Sequence, residues 1–234
     1  YGNVLILHKN GKRYLAFYTE PNKHGASPLR IELNPTDFGK FNNLLTTLES
    51  IILANMLRIV RIDHAVDLEL PLDLIHQSLI APRKRLEEKY TATKLTGLYF
   101  GGKPELYNIY DKALKLKTPG PLTRVELRQY RHKVPYNQFS QLPMYLNHNP
   151  FAHLKFIQPS ENSNLTRGDK VIADSLLLLM KERGAQGVYK HLNSDGRFLH
   201  RFRKVLEKPL YIPDLDSIYQ ADLRDFFEPN NLSI

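Results

Sequence analysis

Three stretches of the sequence carry side chains that could act on a phosphate. In Arg61-Ile62-Asp63-His64-Ala65-Val66-Asp67 the two-residue period of a strand puts Arg61, Asp63, Ala65 and Asp67 on one face and Ile62, His64 and Val66 on the other. Asp63 and Asp67 then lie about 13 Å apart at the usual strand rise, too far to chelate one ion unless the strand bends or bulges. A single acid of the two is therefore expected as a direct metal ligand. In Thr123 to Arg131, Arg124, Glu126, Arg128 and Tyr130 share a face, while Val125 and Leu127 point the other way. A carboxylate between two arginines can hold a divalent cation while the guanidiniums neutralise a scissile phosphate. The third stretch runs through Leu98 to Lys103 and Leu106 to Lys112. It interleaves tyrosines, which stack unpaired bases, with lysines that contact the backbone. Each stretch also has a plainer reading, as a solvated strip of ion pairs or as tyrosines that merely pack.

Composition narrows the field. The 33 Lys and Arg exceed the 24 Asp and Glu, giving a net charge of +9 over 234 residues, which favours polyanionic partners. No run approaches the roughly 20 apolar residues of a membrane span, so no membrane partner is expected. There is no cysteine, which removes disulfides, thiolate metal sites and cysteine nucleophiles and fits a cytoplasmic setting. The nine histidines show no zinc spacing, and His148 and His153 stand at an unhelpful one. No P-loop, dinucleotide-binding glycine pattern or Gly-X-Ser-X-Gly elbow occurs. The clusters Arg83-Lys84-Arg85 and Arg197, His200, Arg201, Arg203, Lys204 are DNA-backbone candidates or solvated faces. The sequence opens on Tyr1 rather than Met, so a leader or an upstream DNA-binding module stays open.

The elements that must position these residues can be read from periodicity. Asn3 to His8 and Lys12 to Thr19 flank Asn10-Gly11, a strong hairpin signal, and Leu29 to Leu33 follows as a third strand. Asn34-Pro35-Thr36-Asp37 supplies cap chemistry for a helix whose apolar spacing runs from Phe38 to Ile52. A long strand is expected over Leu57 to Leu70 and a short helix after Pro71. Further strands are expected over Lys94 to Phe100, Glu105 to Leu114 and Leu122 to Arg131. The fold class expected is α+β, a largely antiparallel sheet with packed helices and a C-terminal helical appendage. Prolines at 143, 150 and 159 suggest a boundary that divides the chain into residues 1–158 and 159–234. The second part is read as helical over Gly168 to Arg183 and Ala185 to Leu206, interrupted at Gly184 and Gly196, with an extended tail from Pro209. Leu29-Arg30-Ile31-Glu32-Leu33 also echoes Thr123-Arg124-Val125-Glu126-Leu127, although five residues do not establish a duplication.

Taken in order, the runs Arg61 to Asp67, Thr96 to Gly101, Tyr107 to Lys112 and Thr123 to Arg128 resemble the replication initiation factor family, which serves plasmids, filamentous phages and conjugative elements. The resemblance covers roughly residues 57 to 133. It implies a rolling-circle-endonuclease-like fold, and a relaxase-like activity in which a tyrosine attacks DNA and becomes joined to its 5′ end, with a divalent cation, Mg or Mn, polarising the phosphate. By position it implies Asp63 and Glu126 as metal residues, with Asp67 as an alternative, and Lys112 and Arg124 as phosphate contacts. Arg61, Arg128, Lys103 and the cluster Arg83, Lys84, Arg85 complete the expected DNA-binding set. Some relatives carry the nucleophile directly before the glutamate, where this sequence has Val125, so Tyr110 or, along the Glu126 face, Tyr130 is the expected tyrosine unless the chain binds DNA without cutting it. The implied partners are origin DNA, single- and double-stranded, then a second copy of the chain and a host helicase. An RNA-processing role is disfavoured because no RNA-recognition aromatic consensus occurs.

Overall fold

A computed structural model describes residues 2–9, 12–22, 29–49, 57–81, 86–130, 133–161, 164–192, 204–208 and 211–228. The chain divides into two compact units, Tyr1–Leu57 with Ala221–Ile234, and Arg58–Gln220.

In the smaller unit, β1 (Asn3–Lys9), β2 (Lys12–Thr19) and β3 (Leu29–Leu33) form an antiparallel sheet in that order. The β1–β2 register closes with Lys9 opposite Lys12, around the Asn10-Gly11 pair, which lies outside the described residues. A single 3-10 turn over Pro35–Phe38 takes up the first residues expected of the helix, and α1 begins only at Phe41 and runs to Glu49. Leu44 and Leu48 of α1 are buried together with Phe38, Leu15 and Ala16, and the Tyr14 ring packs on Phe38 with centroids 4.5 Å apart. Ile51 and Ile52, expected on the same helix face, lie outside the described residues.

The larger unit is built on β4 (Arg61–Leu68), α2 (Leu72–Ser78), β5 (Leu79–Ile80), β6 (Leu86–Thr91), β7 (Lys94–Gly102), β8 (Glu105–Asp111), α3 (Lys112–Leu116) and β9 (Thr123–Tyr130). Five of the strands make an antiparallel sheet in the order β4-β9-β8-β7-β6. Alternation decides its two faces: Val66, Leu98, Phe100, Tyr107, Ile109, Val125 and Leu127 are buried on one, leaving their polar neighbours on the other. β4 is shorter than the Leu57 to Leu70 expected. The strand expected over Glu105 to Leu114 stops at Asp111, because the Asp111 carboxylate accepts from the Leu114 amide and caps α3.

The division expected near residue 158 is not where the units part. Residues beyond it close the core of the larger unit: β10 (Lys155–Phe156) pairs with β5, and β11 (Gln158–Pro159) pairs with β12 (Leu206–Glu207). Between them runs α4 (Arg167–Leu192), whose Ala173, Leu176, Met180, Ala185 and Val188 bury against Ile80 and Val205. α4 bends at Gly184, which has φ 67° and ψ 159°. A Cβ at that position would overlap the buried His76 imidazole of α2, so glycine lets the helix pass. The helix expected over Ala185 to Leu206 is described only to Leu192; Gly196 and residues 193–203 lie outside the described residues. The tail expected to be extended instead forms a helix, α5 (Leu215–Phe227), with Asp214 accepting from the Asp216 amide at its start. Its residues through Gln220 belong to this unit.

Candidate nucleic-acid interface

The polar face of the five-stranded sheet gathers most of the residues singled out from sequence. In register, Asp63 stands opposite Arg128, Ala65 opposite Glu126, Asp67 opposite Arg124 and Arg61 opposite Tyr130. On the other side of β9, Asn108 faces Glu126 and Tyr110 faces Arg124.

Two clusters result. In the first, Arg61 donates to Asp63 through Nε at 2.8 Å and Nη2 at 2.5 Å. Arg128 donates through Nε to Asp63 at 3.1 Å and through Nη2 to Glu126 Oε1 at 2.9 Å. Asp63 and Glu126, from distant parts of the chain, thus meet on one guanidinium. Burial alone would raise the Asp63 carboxyl, but Arg61 and then Arg128 outweigh it and hold it below the usual carboxylate range. The Tyr130 ring borders this cluster, with the Arg61 guanidinium 5.7 Å and the Lys103 ammonium 5.6 Å from its centroid.

In the second cluster Asp67 accepts from Arg124 at 2.7 and 2.8 Å and from Lys112 at 2.5 Å. Burial opposes ionisation of Asp67, and Arg124 and Lys112 restore it, leaving its pKa lowered. Asp67 in turn raises Arg124, with a smaller contribution from Tyr110. Lys115 stands 5.1 Å from the Tyr110 ring centroid. Lys112, within the strand expected over Glu105 to Leu114, instead opens α3 and reaches across to Asp67. Tyr110 therefore belongs with Asp67, and of the two expected tyrosines Tyr130 is the one beside Asp63.

As arranged, these acids hold arginines and a lysine. Among the described residues no three His, Asp or Glu side chains gather as a metal site, and the cation shared by Asp63 and Glu126 is a side chain. The set in this arrangement does not fit Mg or Mn, which take several oxygens around one ion. The expected contacts Arg83, Lys84 and Arg85, and Arg197, His200, Arg201 and Arg203, lie outside the described residues. Lys204 is exposed.

Behind this face, His64 is 2% exposed. Its Nε2 lies 3.1 Å from Gln129 Oε1 and its Nδ1 lies 2.6 Å from the Tyr219 hydroxyl. A carbonyl oxygen only accepts, so Nε2 carries the proton and Tyr219 donates to Nδ1. Tyr145 and His148 pack around the ring at 5.3 and 6.1 Å. Burial holds His64 neutral and lowers its pKa to about 4.

The smaller sheet carries a cluster that the sequence did not single out as a site. Tyr18 stands opposite Arg30 and Ala16 opposite Glu32. The Tyr18 hydroxyl donates to Glu32 Oε2 at 3.0 Å. Arg13 Nη2 donates to the same oxygen at 2.5 Å and to the Tyr18 hydroxyl at 2.8 Å, and Arg30 donates to Glu32 Oε1. The signal available was the echo of Arg30-Ile31-Glu32 with Arg124-Val125-Glu126.

No protein-family model matches the sequence, and no curated protein matches it. A solved structure of a rolling circle replication initiator protein from Geobacillus stearothermophilus is similar over 70% of this chain and 74% of that one, at 13% identity and a TM-score of 0.34. An overlap that loose carries no weight for fold or chemistry. Among the described residues no helix is long and apolar enough to cross a membrane.

Proposed function

We propose that the chain is an initiator-type protein of rolling-circle DNA replication, one that binds origin DNA, nicks one strand by tyrosine transesterification and rejoins it. One observation carries the reading: Asp63 and Glu126 meet on the Arg128 guanidinium, on a sheet face rimmed by Arg61, Lys103 and Tyr130. Three basic groups there stand against two carboxylates, and in the neighbouring cluster Arg124, Lys112 and Lys115 stand against Asp67. The face has a surplus of positive charge and presents guanidinium forks, which suit the phosphates of a single strand. Tyrosines at its margin suit the bases.

The chemistry asked of such a face is modest. Attack by a tyrosine oxygen on the phosphorus exchanges one phosphodiester for another, so the bond energy is kept for rejoining. Arg61, Arg128 and Arg124 would neutralise phosphates along the bound strand. A divalent ion at Asp63 and Glu126 would require Arg128 to leave them.

The test is incubation of the protein with supercoiled origin plasmids in Mg²⁺ or Mn²⁺. Open circles and a covalent protein–DNA adduct are expected; if neither forms with any origin tried, the enzymatic reading fails. A second reading, a DNA-binding protein of the same type without catalysis, is favoured by Val125 and by Arg128 filling the place between the two acids. It predicts DNA binding that depends on Arg124 and Arg128 with no adduct.

A further inference from the structure

Neither Tyr110 nor Tyr130 has a hydroxyl bonded to a carboxylate among the described contacts, so neither has a general base in place. A tyrosine nucleophile needs a base within about 2.6–3.2 Å and a third group that orients that base. Tyr18 meets both requirements: its hydroxyl donates to Glu32 Oε2 at 3.0 Å, and Arg13 and Arg30 hold the two oxygens of Glu32. Tyr90 also bonds a carboxylate, Glu88, at 2.7 Å. That pair, however, lies on one strand and Glu88 is shared with His76, and no guanidinium joins it among the described contacts.

We propose that Tyr18, Glu32, Arg13 and Arg30 form a phosphodiester site in the smaller sheet, with Tyr18 the hydroxyl that attacks the DNA strand. The proposal rests on the nicking function above and names its nucleophile. Arg13 and Arg30 are 44% and 43% exposed at their side chains, so a phosphate can reach them from solvent. Two guanidiniums against one carboxylate leave a positive surplus, and a phosphodiester offers both of them the anionic oxygens that Glu32 supplies now. The exchange couples binding to activation. While the arginines hold Glu32 it is a poor base, and its pKa sits low although burial alone would raise it. Once they turn to the phosphate, Glu32 recovers basicity next to the Tyr18 hydroxyl.

The step balances without a co-reactant. The Tyr18 proton passes to Glu32, the Oη–P bond forms, the P–O3′ bond breaks, and the proton returns from Glu32 to the leaving 3′ oxygen. The products are a 5′-phosphotyrosine and a free 3′ hydroxyl, and rejoining runs the same path backwards.

The experiment uses the full chain, a random-sequence single-stranded DNA pool and Mn²⁺, with covalent adducts isolated under denaturing conditions. They are trimmed with nuclease and digested with trypsin, and the modified residue is located by fragment masses. The expected adduct is on Tyr18 and is absent from Tyr18→Phe. It falls by about 100-fold in Glu32→Gln, the scale of losing a general base, and is unchanged in Tyr90→Phe. Retained thermal melting of each variant separates chemistry from folding, and mapping the adduct in the unmodified chain does not depend on any variant. An adduct on another tyrosine overturns this assignment and leaves the nicking function standing. If DNA is bound and no adduct forms, both fall.

Discussion

The two sheets carry the same short constellation and use it differently. In each, a strand bearing Arg-X-Glu runs antiparallel to one bearing a tyrosine, and the tyrosine stands opposite the arginine: Tyr18 and Arg30 in one, Tyr110 and Arg124 in the other. The difference lies in the neighbour on the far side. Among the described residues β3 is the outermost strand of its sheet, and Arg30 turns to Glu32 on its own strand while Glu32 receives the Tyr18 hydroxyl. β9 lies between β8 and β4, and β4 brings Asp67 to Arg124 and Asp63 to Arg128. An added strand of acids on the far side of β9 thus draws the arginines into a strip of guanidinium–carboxylate pairs, where the smaller sheet has a hydroxyl–carboxylate pair.

The largest expected contrast appears in acid. His64 lies behind the larger sheet only, with a folded pKa near 4 against the ordinary 6.5. Between these values the unfolded chain takes a proton that the folded chain refuses, so stability falls as pH drops through that window. The loss from pH 7 to 4 is on the order of 3 kcal/mol. Hydrogen exchange across that range should show it as lost protection in β4 and β9, with β2 and β3 less affected. Equal loss in both sheets would refute the assignment to His64.

A smaller effect is expected at the shared guanidinium. Arg128→Ala leaves Glu126, whose side chain is 13% exposed, without its partner, and urea unfolding should show a destabilisation of about 2 kcal/mol. The exposed Arg30 should cost less than about 1 kcal/mol when replaced by alanine. Equal costs would mean that the two clusters are energetically alike. The same Arg128→Ala variant should also bind Mn²⁺ more tightly than the parent by calorimetry, because the guanidinium that bridges Glu126 and Asp63 is then gone, although Arg61 still holds Asp63.

The smallest expected change concerns Asp67. Asp67→Asn removes the charge that neutralises Arg124 and Lys112, so affinity for single-stranded DNA at low salt should rise a few-fold. The dependence of log affinity on log salt should steepen by about one contact. A flat response in fluorescence anisotropy would place those two cations outside the DNA path.

What could be read in advance followed from alternation and turns. The two-residue period placed Arg61, Asp63 and Asp67 on one face of β4, and Arg124, Glu126, Arg128 and Tyr130 on one face of β9. It could not say that the two strands would lie side by side, nor that Arg128 would occupy the gap between Asp63 and Glu126, because pairing across many residues is set by the whole sheet. α5 is not legible in the sequence because Pro209 and Pro213 flank its approach and hide the capping role of Asp214. β6 leaves no strand signal beside the basic run Arg83-Lys84-Arg85: in Leu86-Glu87-Glu88-Lys89-Tyr90-Thr91 most residues are exposed, so it lacks the apolar alternation that marks a strand. The Tyr18 cluster was legible only as the echo at Arg30 and Glu32, since Arg13 and Tyr18 join it through strand pairing rather than spacing.

Among the described residues β4 ends the five-stranded sheet, and one rim of any open sheet offers unpaired backbone groups to which another chain can add itself. A strand that carries charges at 61, 63 and 67 is a poor partner for a neighbouring strand. Variants that neutralise them will therefore tend to self-associate, and poor recovery of such variants reports the loss of those charges, independently of any part these side chains play in handling DNA.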